Sequence, residues 1–205
     1  MREVDREHLD ARGLVHACFE SLDAAKALLD LDPGIVRARD GLGETALHYL
    51  VVENQHEAVQ LLHERGATVN TVSDVNGSPL SEAASLGYEA MVAWLLAHGA
   101  EIELEGQGEP TLLNAATSGN AAIVAMLLAA GANVAIVNDV RQTALHLAAE
   151  TDERLHVTEL LLDAGADLDA LHWGDTPLDV AIDNGAVETA KTLRVRGARP
   201  NKHAD

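Results

Sequence analysis

The chain has 205 residues, of which 47% are hydrophobic and only 2% aromatic, so aliphatic side chains must build the core of one or two domains. A single cysteine excludes a disulfide within the chain. Charged residues occur throughout residues 1–20, so no secretory signal is predicted there. The longest apolar run, residues 121–130, is too short to span a bilayer. The formal charge of −19 disfavours binding to nucleic acid and to anionic membranes, and we expect a soluble, cytoplasmic protein.

Apolar and small residues recur along the chain with a period of about 33 residues. An N-terminal extension (1–11) precedes a degenerate first unit, and a tail (202–205) follows the last one. The units between them span residues 12–44, 45–77, 78–109, 110–142, 143–175 and 176–201. From the second unit onward they begin with the tetrapeptides TALH, SPLS, PTLL, TALH and TPLD.

Each unit predicts two α-helices joined by a turn. A Thr or Ser before the first helix can cap its unpaired backbone N–H groups, and Pro79 and Pro177 follow where a helix tolerates proline. Paired alanines, as at Ala83-Ala84, allow neighbouring helices to approach closely. The second helix has one apolar face and ends at a glycine such as Gly99, after which the sequence favours a hairpin-like turn.

The period, the TALH and TPLD tetrapeptides and the GADL and GANV helix endings resemble those of the ankyrin repeat family, from about Arg12 to Asn201. The resemblance implies an all-α repeat solenoid of about six repeats including degenerate caps, in which helix–turn–helix units stack and hairpin loops project from them. Residues 1–205 would form a single domain. The tetrapeptide histidines, His48 and His146, would be structural and bridge adjacent repeats by hydrogen bonds.

Three irregularities distinguish the units from one another. The unit from Pro110 lacks one hairpin residue, and its predicted helix cap moves to Thr111. The unit from Thr143 carries an extra residue within 150–154, where its neighbours turn at glycine, and a bulge is predicted there. His63 occupies the position that is leucine in other units, at Leu96, Leu128 and Leu162.

No pattern of catalytic or ligand-binding residues emerges from the sequence. His56 and His63 share one predicted helix and His156 lies near Glu159, but such spacings arise by chance on acidic helices. Cys18 falls at a small core position without the partners of a catalytic thiol. No phosphate-binding loop, nucleophile motif or paired-cysteine zinc motif is present. We therefore predict a protein that is not an enzyme and that has no metal and no cofactor.

The resemblance also implies where a partner would bind, because hairpin tips and first-helix ends line the concave face of such a stack. The predicted tip residues are Leu42, Val75, Gln107, Val140 and Trp173. The predicted flanking and helix-end residues are Glu44, Glu53, Leu86, Glu109, Gln142, Glu150, Thr151, Asp175 and Asp183. An apolar stripe edged with acidic groups suits a partner that is both hydrophobic and basic. The alternative is that each tip side chain packs against the next hairpin.

The leading hypothesis is a non-catalytic protein–protein interaction module, monomeric, that binds a basic or amphipathic segment of another protein in an acidic groove. A narrower hypothesis is an immunity or antitoxin-type inhibitor that masks a basic nuclease-like or other toxin. Alternatives of another class are a regulatory subunit of an enzyme and a self-assembling scaffold. The charge permits the inhibitor hypothesis, but no residue pattern selects it.

Overall fold

Short α-helices in consecutive pairs make up most of the computed structural model, which describes residues 10–75 and 77–202. Over these residues the predicted all-α repeat architecture is confirmed. The α-helices are α1 Ala11–Glu20, α2 Leu22–Leu31, α3 Ala46–Val52, α4 His56–Glu64, α5 Pro79–Ser85, α6 Glu89–Ala97, α7 Thr111–Ser118, α8 Ala121–Ala129, α9 Ala144–Ala148, α10 Leu155–Asp163, α11 Pro177–Asp183 and α12 Val187–Val195. Short 3-10 helices add Pro33–Arg37 and Asp152–Arg154. Most of the predicted N-terminal extension and of the tail lies outside the described residues.

The chain divides into two compact parts, which we call the first unit and the second unit and describe separately. The 33-residue units of the sequence are called repeats from here on. The first comprises Met1–Ala83 with Ala90–Gln107, and the second comprises Ala84–Glu89 with Gly108–Asp205. The single domain expected over residues 1–205 stays a prediction.

Threonine caps begin first helices of repeats in the second unit, as the sequence predicts. Thr176 Oγ1 accepts the Asp179 N–H at 3.2 Å, and the Asp179 carboxylate accepts the Thr176 N–H at 3.0 Å. Thr143 forms the same reciprocal arrangement with His146, whose N–H lies 3.4 Å from Thr143 Oγ1. Each pair satisfies backbone groups that a helix end otherwise leaves unbonded.

The tetrapeptide histidines form hydrogen bonds with the segment that ends their own repeat, so these contacts do not form the bridge between adjacent repeats that the resemblance implied. In the second unit the His146 Nε2 lies 3.2 Å from the Asp175 carbonyl oxygen. In the first unit the His48 Nε2 lies 3.5 Å from Thr71 Oγ1. Both rings are buried, and this burial lowers the pKa of each histidine. They therefore act as neutral hydrogen-bonding groups inside the repeats.

The prediction that Thr111 caps its helix is wrong. Pro110 occupies the capping position of α7 and offers no side-chain acceptor, while Thr111 is the first helical residue and is buried. The φ of −57° and ψ of 139° at Pro110 keep the backbone extended up to the helix boundary. The helix therefore begins after a proline that fixes the backbone instead of at a hydroxyl that accepts a hydrogen bond.

The irregular segment 150–154 contains the short helix Asp152–Arg154 in place of a glycine turn. The Asp152 carboxylate accepts the Thr189 N–H at 2.8 Å and the Glu188 N–H at 3.2 Å. These N–H groups belong to the first turn of α12, whose own capping residue, Ala186, has no side-chain acceptor. The inserted loop thus supplies a cap to the second helix of the next repeat.

Aliphatic and small side chains fill the core, as the composition predicts. The paired alanines of the first helices are fully buried at Ala83, Ala84, Ala115, Ala116, Ala148 and Ala149. Leucines of the second helices are equally buried, at Leu95, Leu127 and Leu161. Small residues on one helix and leucines on the other allow these short helices to approach closely.

Among the described residues, no helix is both long enough and apolar enough to cross a membrane.

Replacing Leu95 or Leu127 by alanine is expected to lower the free energy of unfolding by about 2–5 kcal/mol, because each change leaves a cavity in a fully buried site. Denaturant unfolding measures this directly. The control is Val195→Ala in α12, where the side chain is exposed and the effect should stay within about 0.5 kcal/mol. Losses below about 1 kcal/mol at both leucines would contradict the assigned repeat register.

Candidate functional site

The hairpin at the end of repeat 143–175 displays Trp173 at its tip, with 83% of the residue exposed. His172 and Asp175 exchange both backbone hydrogen bonds at 3.0 Å, so Trp173 and Gly174 form a two-residue loop. Both loop residues have positive φ, 52° and 91°, as in the type I′ turn that favours Asn-Gly. A bulky side chain in the left-handed region is unfavourable, as is its exposure to water. Trp173 is therefore a poor residue for this turn on grounds of folding alone.

Hydrogen bonds fix this hairpin to the preceding one within the second unit. The His172 Nδ1 lies 3.0 Å from the Val140 carbonyl oxygen, and the His172 ring stacks on the Trp173 indole with a centroid distance of 4.7 Å. His146 holds the base of the same hairpin through Asp175. Large apolar side chains exposed on these two hairpins are Val137, Val140, Leu171 and Trp173. We call these four residues the finger patch.

The acidic residues predicted to flank this surface have partners within the second unit. Glu109 accepts a hydrogen bond from the Asn138 amide at 3.0 Å, and Glu150 accepts one from Arg154 at 3.0 Å. Gln142 is half-buried, and Thr151 Oγ1 accepts the Glu153 N–H at 3.3 Å. Leu86, in the same unit, is exposed at the end of its repeat's first helix.

Asp175 and Asp183 share a partner that the sequence analysis did not anticipate. The Lys202 ammonium lies 3.0 Å from Asp175 Oδ2 and 3.3 Å from Asp183 Oδ2. The backbone N–H groups of Asn201 and Lys202 bond the Asp179 carboxylate at 2.9 and 3.1 Å. The chain is thus held by hydrogen bonds at these two residues.

In the first unit the hairpin tips Leu42 and Val75 are exposed, and so is Glu53 at the end of α3. The two tips belong to joined hairpins, because the Leu42 carbonyl accepts the Asp74 N–H at 3.0 Å. Exposed apolar tips therefore occur in this unit too, although neither tip is aromatic.

Two predicted binding residues of the first unit are buried. Gln107 is only 7% exposed, because its amide turns inward to bond Glu103 and to accept the Leu104 N–H at 2.9 Å. The backbone carbonyl oxygen of Gln107 lies so close to Gly77 that a Cβ added at Gly77 would be only 2.6 Å from it. Glu44 is 4% exposed, at the base of its hairpin.

A second buried carboxyl, that of Glu82, lies in the same unit. Its Oε2 is buried and has no hydrogen-bond partner among the described residues. Burial, with a smaller contribution from the charge of Glu44, raises the pKa of Glu82 to about 7. This carboxyl therefore changes charge near neutral pH.

Cys18 is half-buried, and burial raises the pKa of its thiol to about 11, which opposes a nucleophilic role. In the part of the chain that the structure describes, no group of three or more histidine, cysteine, aspartate or glutamate side chains could hold a metal ion.

His63, the histidine in a leucine position, belongs to an aromatic cluster of the first unit. It contacts Trp94 and His98 edge-on at centroid distances of 5.4 and 5.2 Å, and Trp94 stacks on His98 at 4.0 Å. Like His63, Trp94 and His98 differ from the residues that other repeats have at the same positions, so the comparison of repeats that singled out His63 also identifies these two.

Comparison with known proteins places these repeats in context. A family model described as ankyrin repeats (3 copies) matches residues 14–105 and 112–204. The ankyrin repeat protein nuc-2 of Neurospora crassa is 32% identical over 97% of the chain, and the nuclear factor NF-kappa-B p105 subunit of Gallus gallus is 33% identical over 87%. A transient receptor potential cation channel subfamily A member 1 homolog of Caenorhabditis elegans is 36% identical over 69%. The matches span only 16%, 19% and 12% of those proteins.

Replacing Glu82 by glutamine is expected to stabilise the protein at pH 8 and to have little effect at pH 5. A carboxyl whose pKa is raised on folding, from 4.5 to about 7, destabilises the folded state increasingly as pH rises through that interval. We expect a gain of about 1–2 kcal/mol at pH 8, less than the full shift implies because the side chain keeps some solvent contact.

Urea unfolding at both pH values tests this expectation, with Glu57→Gln on the exposed face of α4 as the matched control. A Glu82→Gln effect that is equal at pH 5 and pH 8 would show that the carboxyl does not titrate in this interval.

Proposed function

The chain belongs to the ankyrin repeat family, and from that premise we propose that it is a non-catalytic module whose hairpins bind a basic or amphipathic segment of another protein. Ankyrin repeats are generally protein–protein interaction modules. The described residues that carry the proposal are the finger patch and the acidic side chains around it.

The position of Trp173 is the observation that carries this proposal. Its turn favours asparagine at that position, and water is an unfavourable environment for an exposed indole. Tryptophan is also enriched among the residues that dominate binding energy at interfaces. The hydrogen bonds through His172 and His146 hold the hairpin before any partner arrives, so little conformational entropy is lost on binding. A role in binding accounts for a residue that folding disfavours.

The charge of the chain supports a basic partner. From Gly66 to Val140 the sequence contains no Lys or Arg, while several Asp and Glu residues fall there, as part of a formal charge of −19. Such a surface repels nucleic acid and speeds the approach of a positively charged protein segment. The finger patch would then receive the apolar side chains of that segment.

We place the protein in the cytoplasm as a monomer. Its one cysteine, Cys18, needs no oxidising compartment, and the net negative charge opposes self-association.

Replacing Trp173 by asparagine should weaken partner binding by about 2 kcal/mol or more, while the free energy of unfolding stays unchanged or rises. The matched control is Val195→Asn, which removes another exposed apolar side chain of the second unit. Wild type, Trp173→Asn and Val195→Asn serve as immobilised baits in native lysate, and the captured proteins are quantified by mass spectrometry. The expected partner binds wild type and the control but is depleted on Trp173→Asn.

Association of the purified partner should also slow as sodium chloride rises, because long-range attraction is screened. Equal capture by all three baits, together with rates that do not depend on salt, would place the interface away from the finger patch. A loss of thermal stability in Trp173→Asn would instead indicate that the indole is a packing residue.

A further inference from the structure

The aromatic cluster of the first unit contains two imidazoles that leave the same ring nitrogen available. The His63 Nδ1 lies 3.3 Å from the Ala67 carbonyl oxygen, and the His98 Nδ1 lies 2.8 Å from the Trp94 carbonyl oxygen. A carbonyl oxygen only accepts, so each Nδ1 carries the proton and each neutral ring keeps a lone pair on Nε2. Neither Nε2 has a hydrogen-bond partner among the described residues.

The two rings also lie at a distance that one metal ion can bridge. The centroids of His63 and His98 are 5.2 Å apart, with an angle of 82° between the ring planes. Two imidazoles that bind one tetrahedral ion through Nε2, with nitrogen–metal distances of about 2.0–2.1 Å, have ring centres about 5 Å apart. Metal-binding histidines usually donate their other ring N–H to a group such as a backbone carbonyl, which fixes the tautomer and the ring orientation. Both rings meet this condition.

Both imidazoles line one surface pocket of about 270 Å³, together with Gln60, Glu64 and Trp94. Gln60 lies one helical turn before His63 on α4 and offers an amide oxygen, and Glu64 adds negative charge that attracts a cation. Because no third histidine, cysteine or carboxylate joins the pair among the described residues, this oxygen and water would complete the coordination shell.

Packing of the repeats does not account for an imidazole at either position. His63 replaces a leucine of other repeats, as noted above. His98 precedes the glycine that ends its second helix, and other repeats have at this position Arg65, Ala130, Ala164 and Arg196. The two histidines therefore meet in one pocket although neither is a residue that the repeat requires.

We infer that His63 and His98 bind a divalent transition-metal ion through their Nε2 atoms, with the Gln60 amide oxygen and water in the remaining positions. Cu²⁺ is expected to bind most tightly, because it forms the most stable complexes with nitrogen ligands among divalent first-row ions. This site goes beyond the proposed function and shares no residue with the finger patch.

Trp94 provides a local reporter for the test, because His98 stacks on it at a centroid distance of 4.0 Å and bound Cu²⁺ quenches nearby indole fluorescence. Trp173→Phe leaves Trp94 as the only tryptophan. Adding CuCl₂ to the full chain with this substitution should quench Trp94 fluorescence to saturation at one ion per chain. EDTA should restore the signal, and Zn²⁺ should displace Cu²⁺ only at higher concentration.

In the same background, His63→Gln and His98→Gln should each weaken Cu²⁺ binding about tenfold or more, because each removes one of two nitrogen ligands. Affinity is taken from the midpoint of quenching instead of its amplitude, so a change in ring stacking does not imitate lost binding. The matched control is His56→Gln, which removes an imidazole of α4 outside the pocket and should leave the affinity unchanged. Urea unfolding verifies that each variant is folded.

Quenching that does not saturate would overturn the inference, and so would an affinity that either pocket variant leaves unchanged or that His56→Gln lowers equally. None of these results bears on the proposed function, which depends on the depletion of a captured partner by Trp173→Asn.

Discussion

Close approach of short helices is the constraint on which the rest of this structure depends. With almost no aromatic side chains, the chain gains its buried apolar surface from leucines and from alanines that let helix backbones come near each other. A helix pair of five to ten residues per helix cannot bury such a face alone. Each pair therefore depends on its neighbour, and polar groups at the helix ends must be satisfied where repeats meet.

Neutral histidine is one solution to that requirement. A single buried ring, His146, bonds the helix cap of its own repeat through Nδ1 and the next hairpin through Nε2. The last repeat replaces histidine by Asp179, whose carboxylate accepts the corresponding bonds from Thr176 and from the tail. These contacts order the hairpins, and the ordered hairpin exposes Trp173 to solvent.

The acidic surplus of the chain is less uniform in its effects than the net charge suggests. Some carboxylates are used internally, as at Asp152, which caps α12, and at Asp40, where the Tyr49 hydroxyl donates at 2.6 Å. Hydrogen bonds to the Asp40 carboxylate, above all from Tyr49, lower its pKa to about 2, so it stays charged over the physiological range. Glu82 has the opposite environment and titrates near neutrality. Only the carboxylates that remain accessible would attract the basic partner that we propose.

The sequence by itself determined the helical repeats, the threonine caps of α9 and α11 and the buried alanines, because these features depend on local spacing that recurs in every repeat. It also placed Trp173 at a hairpin tip. Tertiary structure alone decided that Gln107 and Glu44 turn inward, that Asp152 caps the helix of another repeat and that Lys202 lies between Asp175 and Asp183. Each of these contacts joins groups far apart in the chain or depends on the direction of one side chain. The repeat period predicts neither the long-range contacts nor the side-chain directions. It fixes where a residue lies on its helix or hairpin, but not which neighbouring group its polar atoms contact.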